Sequence, residues 1–180
     1  MSSFKKGGMF ILSSPSGAGK TTLVKKITSN KNFSVSISHT TRSPRLNEKN
    51  GQDYFFTSKK NFKKLIQNKK FLEHAKVFDN YYGSSKDFVY KKLKTGNNIV
   101  FDIDWQGTRQ IRNKNLNFHL LTIFILPPSK KELLNRLLKR EKKNLNTVQK
   151  RMKGFKKDLS RWVEYDLVVI NDDLNKCYKR

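Results

Sequence analysis

An α/β fold, with a parallel sheet core flanked by helices, is the class this sequence predicts, and three observations carry that expectation. Short, continuously apolar runs such as "MFIL", "NIVF" and "LLTIFIL" read as strands buried on both faces. Segments with apolar residues at helical spacing separate them, so strands and helices alternate along the chain. The first strand enters "SSPSGAGKTT", residues 13–22, a glycine-rich turn that opens a helix.

In order, "GGMFILSS" predicts the first strand, and "TTLVKKITSN" a helix with Leu23, Val24 and Ile27 on one face. "FSVSISHT" alternates Phe33, Val35 and Ile37 against serines, as one half-exposed strand would. "TTRSPRLNEKNGQ" is a turn-rich connection, and "DYFFTS" predicts a strand. Phe62, Leu65 and Ile66 mark a helical face in "SKKNFKKLIQNKKF", after which "FLEHAKVFDNYYG" resumes extended structure. "KDFVYKKLKTG" predicts a helix ended by Gly96. "NNIVFDID" predicts a buried strand with Asp102 and Asp104 at its carboxyl end. "HLLTIFILPP" is the strongest strand signal, stopped by Pro127 and Pro128. Ser129 and Glu132 make a capping-box pattern for a helix with Leu133, Leu134, Leu137 and Leu138 on one face. "REKKNLNT" is a polar break, "VQKRMKGFKKDLSRWVEY" a second helix, and "YDLVVIND" a last strand. With no internal repeat or dividing linker, residues 1–180 are expected to form a single domain.

The formal charge is +25, from 39 lysines and arginines against 14 acids. The lysines are scattered through nearly every segment, which argues for a solvated surface and general attraction of polyanionic substrates. No dedicated nucleic-acid partner is expected, because no single block gathers the charge. No apolar run reaches membrane-spanning length, and "MSSFKKGG" leads into no signal-like apolar stretch. A single cysteine, Cys177, agrees with a reducing compartment, so the expected location is cytoplasmic.

From Ser14 the glycine-rich turn fits the phosphate-loop pattern G-x-x-x-x-G-K-[ST], except that Ser14 replaces the first glycine. Ser14, Pro15, Ser16, Gly17, Ala18, Gly19, Lys20, Thr21 and Thr22 are therefore the candidate cradle for ATP phosphates. Gly17 and Gly19 let successive N–H groups point inward at a helix N-terminus. Lys20 can reach the β- and γ-phosphates, and Thr21 can offer a hydroxyl to Mg²⁺. The competing reading is a tight strand-to-helix turn with an ordinary lysine. Asp102 ends its strand where a carboxylate would hold Mg²⁺ through water. Asp104, two residues on, is expected on the same side, facing metal or substrate.

Arginines supply the rest. Arg42 and Arg45 lie in a proline-stiffened loop suited to clamping a phosphate, with Tyr54 and Tyr82 as added donors. Arg136, Arg140 and Arg151 flank the polar break at 141–147, as a lid bringing positive charge over a transferring phosphoryl group would. A general base is not needed if the nucleophile is itself a phosphate oxygen, and His39, His74 and His119 read as packing or surface residues.

With these residues in view, the chain resembles guanylate kinases. "SPSGAGKTT", "SVSISHTTRSPR", "GQDYFF", "FLEHAKVFDNYYGSS", "FDIDWQG", "FILPPS" and "VINDD" follow in that family's order over essentially the whole chain. The resemblance implies a P-loop nucleoside monophosphate kinase fold, with core at about 1–38 and 85–180. A GMP-binding insert at about 39–84 and a lid at about 136–151 complete it. It implies that Ser38, Glu73, Ser84 and Asp104 read guanine and that Arg42, Arg45, Tyr54 and Tyr82 hold the GMP phosphate. Arg136, Arg140 and Arg151 would stabilise transfer, Asn171 would lie near the adenine, and Mg²⁺ would accompany ATP.

The implied activity is transfer of the ATP γ-phosphoryl group to GMP. Alternatives are a catalytically weak binding module of the same fold, or a kinase for another phosphorylated acceptor. The chain departs from the family pattern in two places. Glu141 follows Arg140 where the lid usually carries glycine. The sequence also stops at "NDDLNKCYKR", where relatives continue through a helix whose loss is expected to expose an apolar patch.

Overall fold

The chain, seen in a computed structural model that describes residues 6–141 and 144–179, folds around two sheets. In chain order its elements begin β1 (Met9–Ser13), α1 (Lys20–Ile27), β2 (Phe33–Val35), β3 (Ser38–Thr40), β4 (Phe55–Phe56) and α2 (Lys59–Gln67). There follow β5 (Phe71–Val77), β6 (Asn80–Ser85), α3 (Lys86–Lys94), β7 (Asn98–Asp102), α4 (Trp105–Asn113) and β8 (Leu120–Leu126). The chain closes with α5 (Lys130–Arg140), α6 (Leu145–Leu159), a 3₁₀ turn at Trp162–Glu164, β9 (Leu167–Ile170) and α7 (Leu174–Lys179).

The larger sheet is parallel throughout, with the five-strand order β2-β7-β1-β8-β9. Its central strands alternate between two cores. Ile11, Ile99 and Phe101 pack with Leu72, Val89, Leu93 and Ile111 on one face. Leu12 and Val100 pack with Leu23, Val24, Ile125 and Cys177 on the other. Each fully buried side chain of this kind contributes about 1.5–3 kcal/mol, which is why the strands read as unbroken apolar runs.

The smaller sheet, in the order β4-β3-β6-β5, is built wholly from residues 38–85. Here the sequence expectation needs correcting, because "FSVSISHT" is not one half-exposed strand. Ser36 N–H donates to Val100 O at 2.8 Å at the end of β2, and β3 then pairs antiparallel with β6 in the other sheet. The polar residues are the buried ones: Ser36, Ser38 and Thr40 are each at most 5% exposed, whereas Ile37 is only partly buried. The segment crosses between two sheets, and its hydroxyls line the crossing. The extended stretch after α2 is a hairpin of β5 and β6, turned at Phe78 with φ 53°.

Helix starts follow their caps. The side chains of Ser58, Ser85, Ser129 and Asn144 accept from the backbone N–H three residues on, in α2, α3, α5 and α6. The Ser129–Glu132 pattern forms only half a box, because the Glu132 carboxylate accepts from Arg136 Nε at 2.9 Å. On α5, Leu133 and Leu137 are buried but Leu134 is 36% exposed. Helices α4 and α7 lie where the sequence suggested none. In α4 the buried residues are Gly107, Thr108 and Ile111, too small a set to signal an apolar stripe. On β9, Leu167, Val168 and Ile170 are exposed at the sheet edge. Among the described residues no helix is long and apolar enough to cross a membrane.

Candidate active site

The phosphate loop sits between β1 and α1, both held by the buried sheet. Gly17 and Gly19 have φ of 98° and 97°, which side chains rarely tolerate. A Cβ on Gly19 would also lie 2.2 Å from Asn171 Nδ2. Gly19 caps α1 with no side-chain hydrogen bond, and no acid occupies the helix's first turn. Its N-terminal N–H groups and dipole therefore remain available to an anion. Ser14 donates to the Pro15 carbonyl at 3.0 Å and makes no close glycine-type approach.

Behind the loop, β7 brings Asp102 to both reactive side chains. Lys20 Nζ lies 2.8 Å from Asp102 Oδ1 and donates to Ile103 O at 2.8 Å. Thr21 donates its hydroxyl to Asp102 Oδ2 at 2.9 Å. A hydroxyl beside a carboxylate is a hard oxygen set that suits Mg²⁺. No group of three or more His, Cys, Asp or Glu side chains converges among the described residues. An ion here would thus draw further ligands from phosphate and water, as Mg²⁺ commonly does. Asn171 is 5% exposed, and its amide donates to the Ala18 carbonyl at 2.7 Å. The structure places it under the loop backbone, which it fixes.

The arginines of α5 and α6 close over this loop. Arg136 donates to the Asn171 carbonyl at 3.1 Å and pairs with Glu132. Arg140 and Arg151 both donate to the Ser16 hydroxyl, at 3.1 and 2.7 Å. Burial lowers the pKa of each. The field of Arg45 adds to the effect on both, so the loop, Arg140, Arg151 and Arg45 converge on one region. Lys142 and Lys143, within the expected lid, lie outside the described residues.

Across from the loop, Arg42 makes a bidentate pair with Glu48, both contacts at 2.9 Å, and lies 5.3 Å from the Tyr54 ring centre. Arg45 N–H donates to the same carboxylate at 2.7 Å. Tyr54 and Tyr82 meet edge to face with centroids 6.0 Å apart, and burial raises the Tyr54 phenol above its ordinary range. Two ion pairs tie this region to the rest: Lys25 with Asp53 at 3.0 Å, and Lys150 with Asp79 at 3.9 Å.

Deeper still lies Glu73 on β5, 2% exposed. Ser84, paired with it across the hairpin, donates its hydroxyl to Glu73 Oε1 at 2.7 Å. Ser84 is also the register partner of Ser38, which puts the three residues side by side. Burial, reinforced by the charge of Asp104, raises the Glu73 pKa to about 7 despite the Ser84 hydrogen bond. Asp104 does not extend β7. The strand ends at Asp102, and Asp104 caps α4, accepting from Gln106 N–H and Gly107 N–H at 3.0 and 3.1 Å. Strand alternation is thus the wrong reason to place it, although α4 does hold it near Glu73.

The sequence did not single out three contributors. Glu48 partners Arg42, and its position three residues after Arg45 in a turn was the available sign. Gly107 lets α4 touch Glu73, since a Cβ there would lie 2.4 Å from Glu73 Oε2. Asp158 on α6 is half-buried, and burial with the charge of Asp104 raises its pKa to about 6. No local pattern marks it.

A family model described as "Guanylate kinase" matches residues 6–180. The guanylate kinase of Rickettsia prowazekii (strain Madrid E) is 48% identical over 176 residues, spanning 97% of this chain and 88% of that protein. The guanylate kinase of Buchnera aphidicola subsp. Schizaphis graminum is 45% identical, spanning 96% and 84%. The crystal structure of guanylate kinase from Anaplasma phagocytophilum superposes with a TM-score of 0.81 at 34% identity. That match covers 98% of this chain and 82% of that one.

Proposed function

The chain belongs to the guanylate kinase family, and we propose that the residues described above divide its reaction between two halves of one cleft. The activity is ATP:GMP phosphotransfer: the γ-phosphoryl group of ATP passes to GMP, giving ADP and GDP.

On the donor side, residues 14–22 cradle the ATP phosphates, with Lys20 on the β- and γ-phosphates and Asn171 bracing the loop. Thr21 and Asp102 would hold Mg²⁺, which would neutralise charge on the triphosphate. On the acceptor side, residues 39–84 act as the GMP-binding insert. Arg42, Arg45, Tyr54 and Tyr82 take the GMP phosphate, while Ser38, Glu73, Ser84 and Asp104 read guanine. Arg136, Arg140 and Arg151, in the lid at 136–151, stabilise the charge in flight.

The observation that carries the choice of acceptor is the buried Glu73 carboxyl beside Ser84. Guanine presents N1–H and an N2 amine, both donors to a carboxylate. Adenine presents an unprotonated N1 there and leaves the same group unpaired. Sites built on such hydrogen bonds discriminate by about 10⁴ or more. No general base is required, because a GMP phosphate with a second pKa of about 6 is already largely the dianion. The protein's task is alignment and charge neutralisation, with insert and lid excluding water. A cytoplasmic setting suits an enzyme of soluble nucleotides.

A coupled ADP-release assay across GMP, dGMP, AMP, CMP and UMP tests the reading. Selective turnover of guanine nucleotides is expected. Binding of GMP without ADP release would make the chain a binding module, and preference for another acceptor would displace Glu73 from its role.

A further inference from the structure

Glu141 sits at the C-terminus of α5, its backbone N–H donating to Leu137 O at 2.9 Å. Its side chain does not leave for solvent, being only 14% exposed. Oε1 accepts from Arg140 Nε at 2.9 Å and lies 3.3 Å from Arg151 Nε. The same two guanidinium groups share the Ser16 hydroxyl of the phosphate loop. One carboxylate oxygen therefore joins two cations that would otherwise repel each other in a partly desolvated place. That repulsion is visible as the charge of Arg140 lowering the Arg151 pKa, with Glu141 opposing it.

An anion between two arginines over a phosphate loop occupies the electrostatic place a transferring phosphoryl group needs. We propose that Glu141 is a positioning residue that serves as an internal stand-in for that group. It gathers Arg140 and Arg151 on Ser16, and ATP must take them from it. The proposal rests on the assignment of those arginines to the phosphoryl group.

Two effects follow with opposite signs. Removing the carboxylate removes a competitor, so ATP binds more tightly. It also removes the group that retakes both arginines after transfer, so the products leave more slowly and turnover falls. A role confined to fastening the lid predicts weaker ATP binding instead.

Isothermal titration of the whole protein with ATP and Mg²⁺, together with steady-state turnover of GMP, separates these. For Glu141→Gln the ATP Kd is expected to fall roughly 3- to 10-fold while kcat drops by a similar factor, the scale of a partly exposed ion pair. Glu141→Asp, which keeps the charge, should return the Kd toward the wild-type value. An unchanged or raised Kd in Glu141→Gln overturns the proposal, as does Glu141→Asp binding ATP as tightly as Glu141→Gln. Wild-type protein that binds ATP but does not turn over GMP would instead defeat the functional reading. The Kd comparison would still decide the part played by Glu141.

Discussion

The donor half and the acceptor half of this cleft hold their cations by different means. Lys20 and Thr21 are adjacent in sequence, and Asp102 on the neighbouring β7 answers both. On the proposed reading that carboxylate remains useful when ATP binds, because it would then help to hold Mg²⁺. Arg42 is paired with Glu48 from its own loop, and Glu73 is drawn from β5 against Gly107 of α4. On the same reading Glu48 would compete with the GMP phosphate for Arg42, and burial raises the Glu73 pKa to about 7. The donor half is, on that reading, held ready by Asp102, which keeps its lysine and hydroxyl together. The acceptor half depends on a buried carboxyl whose charge is costly and on a close approach at Gly107, so it should be the more sensitive to pH and to small steric changes.

The largest effect should come from the donor half. Lys20→Ala is expected to lower kcat by about 10³-fold or more while leaving the melting temperature near that of the wild type. Near-normal turnover would remove the loop from the mechanism. Gly107→Ala should come next and should strike the acceptor half alone. The added methyl would meet a carboxylate oxygen at 2.4 Å, costing about 1–3 kcal/mol of stability and about 10- to 100-fold in kcat/KM for GMP. An equal loss for ATP binding would break the division between the halves.

Glu73→Gln sharpens the contrast through pH. The folded-state pKa of Glu73 is raised from 4.5 to about 7, so the folded protein keeps a proton that the unfolded chain releases. This group therefore costs stability as pH rises from about 4.5 to 7, on the order of 3 kcal/mol in all, and nothing further above that. Melting curves should show the wild type losing stability relative to Glu73→Gln across that window. Guanine donors favour the ionised form, so GMP affinity should improve through pH 7 in the wild type and lose that inflection in the variant. The smallest effect belongs to Lys25→Ala. Its lysine is 70% exposed in the pair with Asp53, and a change of about 0–1 kcal/mol in stability is expected.

The same difference decides what the sequence alone could convey. The phosphate loop was legible because its physics is local: strand, two left-handed glycines, lysine and helix within ten residues. Alternate buried runs likewise announced the parallel sheet. In the acceptor site a phosphate clamp could be read from Arg42, Arg45, Tyr54 and Tyr82, but the guanine-reading residues only by resemblance. The site's residues come from β3, β5, β6, α4 and the turn between β3 and β4, and no spacing rule joins Glu73 to Gly107. The alternation of "FSVSISHT" misled because it assumed one sheet with apolar residues inward. The chain changes sheets there, and hydroxyls take the buried side. Helix α4 escaped because, beside Ile111, its buried face is a glycine that lies against Glu73 and a threonine hydrogen-bonded with Ser13 and Tyr165, which leaves no apolar stripe.

The strand register carries a further message, about the order in which such a site can be born. In the smaller sheet every pairing closes within residues 38–85, and the β5–β6 hairpin is nearly contiguous. In the larger sheet β1 lies between β7 and β8, with Met9 paired to Ile99 and Leu120. Contacts so distant along the chain are slow to close, whereas local ones form early. During synthesis the smaller sheet can pair while the strand that carries the phosphate loop still waits for its neighbours. Glu73, however, meets Gly107 and Asp104 only once α4 has followed β7 into place, so the acceptor site is completed only as the central sheet closes beside the phosphate loop.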